Sequence, residues 1–120
     1  MENKNITVSY FQNLKSQNNT RIKLELVFKD IKEGKWKDEI EQMRLAKVTN
    51  REDKFSKLKM KLQCFTPSAT FNDKRDKNFV LSYTGIISLD YDGIQSNEID
   101  DIKNIICDDP NTFGCFICPF

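Results

Sequence analysis

Histidine is absent from this 120-residue chain. A zinc site would therefore rest on cysteine, and the four present, Cys64, Cys107, Cys115 and Cys118, supply one CxxC spacing and no second. Cys115 and Cys118 fall in an apolar stretch that reads as a strand, where positions three apart point to opposite faces. They are read as buried structural cysteines, ahead of a zinc or a redox role. Long apolar runs are also missing. None approaches the roughly 18 residues of a spanning helix, so no membrane partner is expected. The opening "MENKNITVSYF" lacks a basic segment followed by an apolar one, so no secretory signal is expected. The thiols are then expected to sit reduced in a cytoplasm. Internal repeats and low-complexity segments are absent as well. What is there, 31% charged and 38% hydrophobic residues, is the balance of a soluble domain, and residues 1–120 are read as one.

Net charge is +1, but its sign is unevenly spread. Residues 1–80 hold 18 Lys/Arg against 11 Asp/Glu, and residues 81–120 hold Lys103 alone against seven acids. A basic body beside an acidic section suits a protein that meets phosphates with one part and cations with another; two solvated surfaces would give the same asymmetry.

The β-formers of "ITVSYF" (6–11) predict an opening strand, followed by a polar loop "KSQNNTR". Leu24, Val27, Phe28 and Ile31 recur at helical spacing, and Gly34 ends that helix. Trp36, Ile40 and Met43 mark a second helix. Phe55, Leu58 and Leu62 form the stripe of a third, over about 51–62, with Lys54, Lys57, Lys59 and Lys61 around it. That phase favours a core or interface position for Trp36 over base stacking, and the lysines read as a solvated face. After Pro67 come a short strand "SATF" (68–71), a charged loop "NDKRDKN" (72–78) and the strongest strand pattern, "GIISLDYD" (85–92). Ser96 or Asn97 is expected to cap a helix with Ile99, Ile102, Ile105 and Ile106 on its inner face. A turn at 108–111 leads to a final apolar strand "TFGCFIC" (112–118). The expected class is α+β, with a small mixed sheet packed against three to four helices.

Within 85–92, alternation puts Ile87, Leu89 and Tyr91 on one face and Asp90 and Asp92 together on the other. Backbone positions two apart on a strand lie roughly 6.5 Å apart. Two negative charges at that distance repel by about 2.5 kcal/mol at an effective dielectric near 20, and by under about 1 kcal/mol when fully hydrated. A shared divalent ion would reverse the sign. Carboxylate oxygens suit Mg²⁺ or Mn²⁺, the hard cations of phosphoryl-transfer sites, and Gly93 lets the backbone turn away sharply. A solvated strand end entering an Asp-Gly turn is the competing reading. An EF-hand is excluded, because the glycine comes two positions too early and the closing Glu is missing.

"LDYDGI" is similar to the first motif of the haloacid-dehalogenase-like phosphatases, which would make Asp90 a nucleophile and Asp92 a general acid/base. Ile94 departs from that motif, and the 26 residues after it are too few for the rest of that fold. The chain as a whole resembles the VirE N-terminal domain family, the front part of bacterial primase-helicase-like proteins of mobile elements, itself similar to the primase-polymerase superfamily. The stretches that match, in order, are "VSYFQNLKS", "IKEGKWKDEIEQMR", "KLKMKLQCFTPSATFNDKRDKN", "YTGIISLDYDGI" and "DDPNTFGCFICPF".

This resemblance implies the N-terminal part of a primase-polymerase-like fold in a DNA replication protein. Asp90 and Asp92 would be catalytic ligands of Mg²⁺ or Mn²⁺ for nucleotidyl transfer. It implies nucleic acid and a nucleoside triphosphate as partners, together with a helicase domain or protein. Family members continue into a Ser/Gly-rich segment that should begin at Pro119 and Phe120, so the site is expected to be incomplete and inactive in these 120 residues alone. Lys74, Arg75 and Lys77 form a compact basic loop, read either as a nucleic-acid or phosphate contact or as a solvated connector. The alternative function is a non-catalytic module that binds nucleic acid or a helicase.

Overall fold

A computed structural model describes residues 5–118. Strand β1 (Thr7–Phe11) is its centre. Its side chains do not alternate between core and solvent, because Val8, Ser9, Tyr10 and Phe11 are all buried. Antiparallel partners flank it on both edges: β2 (Thr20–Lys23) pairs Val8 with Ile22, and β3 (Cys64–Thr66) pairs Tyr10 with Phe65. Helix α1 (Leu24–Lys32) follows β2 directly and is tied back where the Leu24 N–H donates to the Ile6 carbonyl at 2.8 Å. The α1 stripe closes the first core: Leu24 and Val27 pack with Ile6 and Val8, and Phe28, Ile31, Phe65, Ile86 and Phe113 form its border.

Helices α2 (Lys37–Val48) and α3 (Glu52–Lys61) make a second, separate core of Met43, Ala46 and Phe55, with Leu58 and Leu62 against it. Two similar terminations set the helix directions. Gly34, at φ +77°, ends α1: its N–H reaches the Ile31 carbonyl, and the Lys35 N–H reaches the Asp30 carbonyl. Asn50, at φ 57°, ends α2 in the same way, with its N–H on Lys47 O and the Arg51 N–H on Ala46 O. Both are the paired 6→1 and 5→2 hydrogen bonds that satisfy the last helical carbonyls.

At Pro67 and Ser68 the chain passes from the first sheet to a second, in which β4 (Ala69–Phe71) pairs antiparallel with β5 (Val80–Tyr83). A short 3₁₀ turn, Lys77–Phe79, leads into β5. The sheets are joined through a buried hydroxyl: the Phe71 N–H donates to Ser9 Oγ at 2.9 Å. Helix α4 (Ile99–Asp108) comes last.

The fold is α+β with four helices, as expected, but its strands divide between two antiparallel sheets in place of one mixed sheet. Other differences have local causes. β2 lies partly inside the expected polar loop, because an edge strand with only Ile22 half-buried carries no apolar pattern. The strongest strand pattern, 85–92, is irregular and exposed, with Ile87 82% and Leu89 70% accessible, since no strand pairs with it. Residues 112–118 also form no strand. Their Phe113 and Phe116 instead pack at 5.8 Å, ring centre to ring centre, on Phe28 of α1. Glu98 takes the N-cap position of α4 without a side-chain bond, in place of Ser96 or Asn97, and Ile105 is exposed where an inner face was expected. Pro119 and Phe120 lie outside the described residues. Among those residues no helix is long and apolar enough to cross a membrane.

Ser9→Ala leaves the Phe71 N–H without its acceptor, and chemical denaturation should register a loss of about 1–3 kcal/mol. At position 50, where φ is 57°, Asn50→Val should cost about 1–2 kcal/mol while Asn50→Gly costs nothing or stabilises, in the same assay.

Candidate metal and nucleic-acid sites

The acidic segment leaves β5 through an anchored turn. Thr84 Oγ1 donates to the Pro67 carbonyl at 2.6 Å and accepts the Ile86 N–H at 3.1 Å. Ile86 reaches the border of the first core and is the last anchor. From Ile87 to Gly93 the chain runs exposed, until α4 begins. Asp90 and Asp92 lie in this stretch, both exposed, with no hydrogen bond or ion pair to another described residue. Gly93 follows at φ +72° with open space around its Cα, so the turn predicted after the acids is present.

The pair keeps its spacing in sequence but lacks the sheet edge that alternation assigned to it. Among the described residues no group of three or more Asp, Glu, Cys or His side chains converges on a point that could hold a metal. Two carboxylates alone suit Mg²⁺ or Mn²⁺ when waters and phosphate oxygens fill the remaining positions. They do not make a closed protein cage.

The basic loop is partly committed to structure. The Arg75 guanidinium donates to the Leu14 carbonyl at 2.8 Å and lies 5.2 Å from the Phe11 ring centre, which fastens the loop to the first sheet. Lys74 sits 5.7 Å from the ring centre of Phe79. Asp76 Oδ1 accepts the Asn78 N–H at 2.8 Å and opens the 3₁₀ turn that holds Lys77. Lys74, Arg75 and Lys77 are all exposed, but the Arg75 guanidinium is engaged by the first sheet. The loop is therefore not a three-cation cradle.

All four cysteines are free, and the expectation of buried structural thiols at both positions of the CxxC fails at Cys118, because no strand encloses this segment. Cys115 is half-buried, and burial pushes its thiol pKa up, with Cys107 of α4 the next cause. Cys118 is exposed.

A hollow that the sequence did not reveal, mostly apolar in its lining, opens elsewhere, where the α1–α2 joint meets the end of α3. Its volume is about 410 Å³, and its lining includes Trp36, Gln12, Gln63 and Lys61. Neither Asp90 nor Asp92 lines it. The signal available in the sequence was the single tryptophan, set between Lys35 and Lys37. Gln12 and Gln63, 51 residues apart, carried none.

The model of the BT4734-like, N-terminal domain family matches residues 57–119, the half that contains the basic loop and the acidic pair. No curated protein and no solved structure matches the chain.

The raised Cys115 pKa keeps its thiol protonated to higher pH, so iodoacetamide at mildly alkaline pH should alkylate exposed Cys118 first and Cys115 more slowly. Peptide mass mapping over time checks the order.

Proposed function

The chain belongs to the BT4734-like, N-terminal domain family, and from that premise we propose that it is the front part of a primase-polymerase-like replication protein of a mobile element. In this reading it works in the cytoplasm with nucleic acid, a nucleoside triphosphate and a helicase. The observation that carries it is the state of Asp90 and Asp92: two exposed carboxylates one residue apart, paired with no cation among the described residues and followed by a left-handed glycine. Uncompensated paired acids cost least when an ion is shared between them. Mg²⁺ or Mn²⁺ is the ion that carboxylates and triphosphate oxygens bind jointly.

In this reading the pair contributes two ligands and the nucleotide brings more. Asp90 and Asp92 would hold the metal, which would supply positive charge for the triphosphate, and Lys74 and Lys77 would meet the nucleic-acid backbone. The resemblance to the primase-polymerase superfamily, read from the motif order, gives the two acids their catalytic role.

The exposure of both acids, with no third ligand beside them among the described residues, favours a second reading, a non-catalytic module that binds nucleic acid or a helicase and leaves the acids solvated.

Titration of Mn²⁺ with a nucleoside triphosphate, followed by the electron paramagnetic resonance of free Mn²⁺, separates the two. The first reading expects Asp90→Ala/Asp92→Ala to weaken uptake of the ion at least tenfold, the loss of about 1.4 kcal/mol or more of binding. Equal uptake by both proteins would sink the metal role and leave the module.

A further inference from the structure

The hollow beside Trp36 is built from three parts of the chain. Gln12 lies just beyond β1, Lys35, Trp36 and Glu39 come from the α1–α2 joint, and Leu58, Lys61, Leu62 and Gln63 come from the end of α3. Hydrogen bonds fix which way its amides face. Gln63 Oε1 accepts from both the Tyr10 hydroxyl and Trp36 Nε1, the latter at 2.7 Å. Its Nε2 must then point the other way, and it donates to Gln12 Oε1 at 2.9 Å. That bond takes one lone pair of Gln12 Oε1, and the Gln12 amide N–H groups, which bond no other described residue, are left for a guest.

The chain of polarity therefore ends in donors. Lys35 and Lys61 add two ammonium groups. Lys35 is held in place by Asp30, 3.1 Å from its Nζ, and stands 5.1 Å from the indole ring centre. Glu39 is the acceptor of the lining, and Trp36, Leu58 and Leu62 are its apolar wall. A guest that satisfies this lining has a flat apolar body, an edge rich in acceptors and a negative group beside it.

We propose that this hollow binds a base of single-stranded nucleic acid, with the base against Trp36 and the flanking phosphates on Lys35 and Lys61. The size fits, since sites for small ligands span about 300–1,000 Å³. The surroundings fit as well, because Lys54 and Lys57 continue the positive charge along α3 from Lys61. A base inside a duplex has its faces covered by its neighbours, so only an unpaired one can lie on the indole. Glu39 can accept from a base N–H, the N3–H of thymine included, and the donors of Gln12 suit base carbonyls. The inference rests on the nucleic-acid part of the function proposed above, but not on its metal.

Trp36 is the sole tryptophan, so its emission reports on the hollow alone. A single-stranded oligothymidylate of about ten residues is the probe. Binding is followed by anisotropy of a labelled strand and by Trp36 emission on the whole chain, with inorganic polyphosphate as the polyanion control. The expected result is binding that quenches Trp36, with no comparable quench by polyphosphate. Lys61→Ala and Gln12→Ala change exposed rim residues and should weaken binding, Lys61→Ala also lowering the salt slope by about one. Trp36→Leu, its folding checked by circular dichroism, should weaken binding roughly 5- to 150-fold.

Oligonucleotide binding without a quench, unaffected by Lys61→Ala and Gln12→Ala, would overturn the hollow as the site while leaving nucleic acid as a partner. An equal quench by polyphosphate would overturn the base and leave only an anion site. Absence of binding to the strand would overturn both this inference and the nucleic-acid reading it rests on.

Discussion

The structure depends on one strand buried on both sides. Val8 and Phe11 have no accessible surface, and Ser9 between them has none either. A strand so placed gives up its own amphipathic pattern and must be enclosed by everything else. β2 and β3 cover its edges, α1 covers one face, and β4 covers the region of Ser9, whose hydroxyl replaces a ladder bond by accepting from Phe71. A buried hydroxyl without a partner would cost free energy. Here it is the link that sets the second sheet against the first, and thereby sets where the chain emerges toward the acidic segment. Thr84 repeats the device with the Pro67 carbonyl one step further on.

Charge is organised on top of this frame. The described ion pairs Lys35–Asp30 and Lys47–Glu52 both lie in the basic half, between residues close in sequence. No described ion pair joins the basic half to the acids after residue 80. Among the described residues the two fields of opposite sign therefore do not neutralise each other through ion pairs. Arg75 is an instructive exception. Its planar guanidinium, which suits phosphate, is stacked on Phe11 and bonded to the Leu14 carbonyl, so a cation that resembled a ligand contact is in large part a structural fastener.

The helices were legible in the sequence because their information is local. Phe55, Leu58 and Leu62 repeat at the period of a helix, and Gly34 stands at a left-handed stop. β1 was legible from its β-formers for the same reason. The short strands were not. Cys64–Thr66 and Val80–Tyr83 are three and four residues long, the first pairing with a strand far back in the chain and the second across a charged loop, and neither carries a local pattern long enough to mark it. The converse happened at 85–92, where alternation and β-branched residues describe a segment fit to be a strand, but a ladder also needs a neighbour. Of the candidate sites, the acidic pair was legible as a motif and its missing sheet edge was not. The Trp36 hollow was hidden, because it assembles amides and lysines from three separate stretches.

Directionality is what gives that hollow chemical meaning. Tyr10 and Trp36 each have one hydrogen to donate, and both deliver it to the same oxygen of Gln63. Burial raises the Tyr10 pKa, so the hydroxyl stays a donor throughout the neutral range; its stabilising effect is complete below the ordinary tyrosine pKa and fades as pH climbs beyond it. With that oxygen doubly occupied, the Gln63 amide cannot flip without losing both bonds, and Gln12 inherits its orientation. A chain of four side chains thus converts two aromatic donors at the core into an amide donor at the surface. In the proposed binding mode, Lys61, which makes no described ion pair, supplies the positive charge beside that amide, and the indole supplies a flat wall. These requirements are separate, so an anion without a flat apolar body meets only part of the lining, as does a flat apolar molecule without an anion.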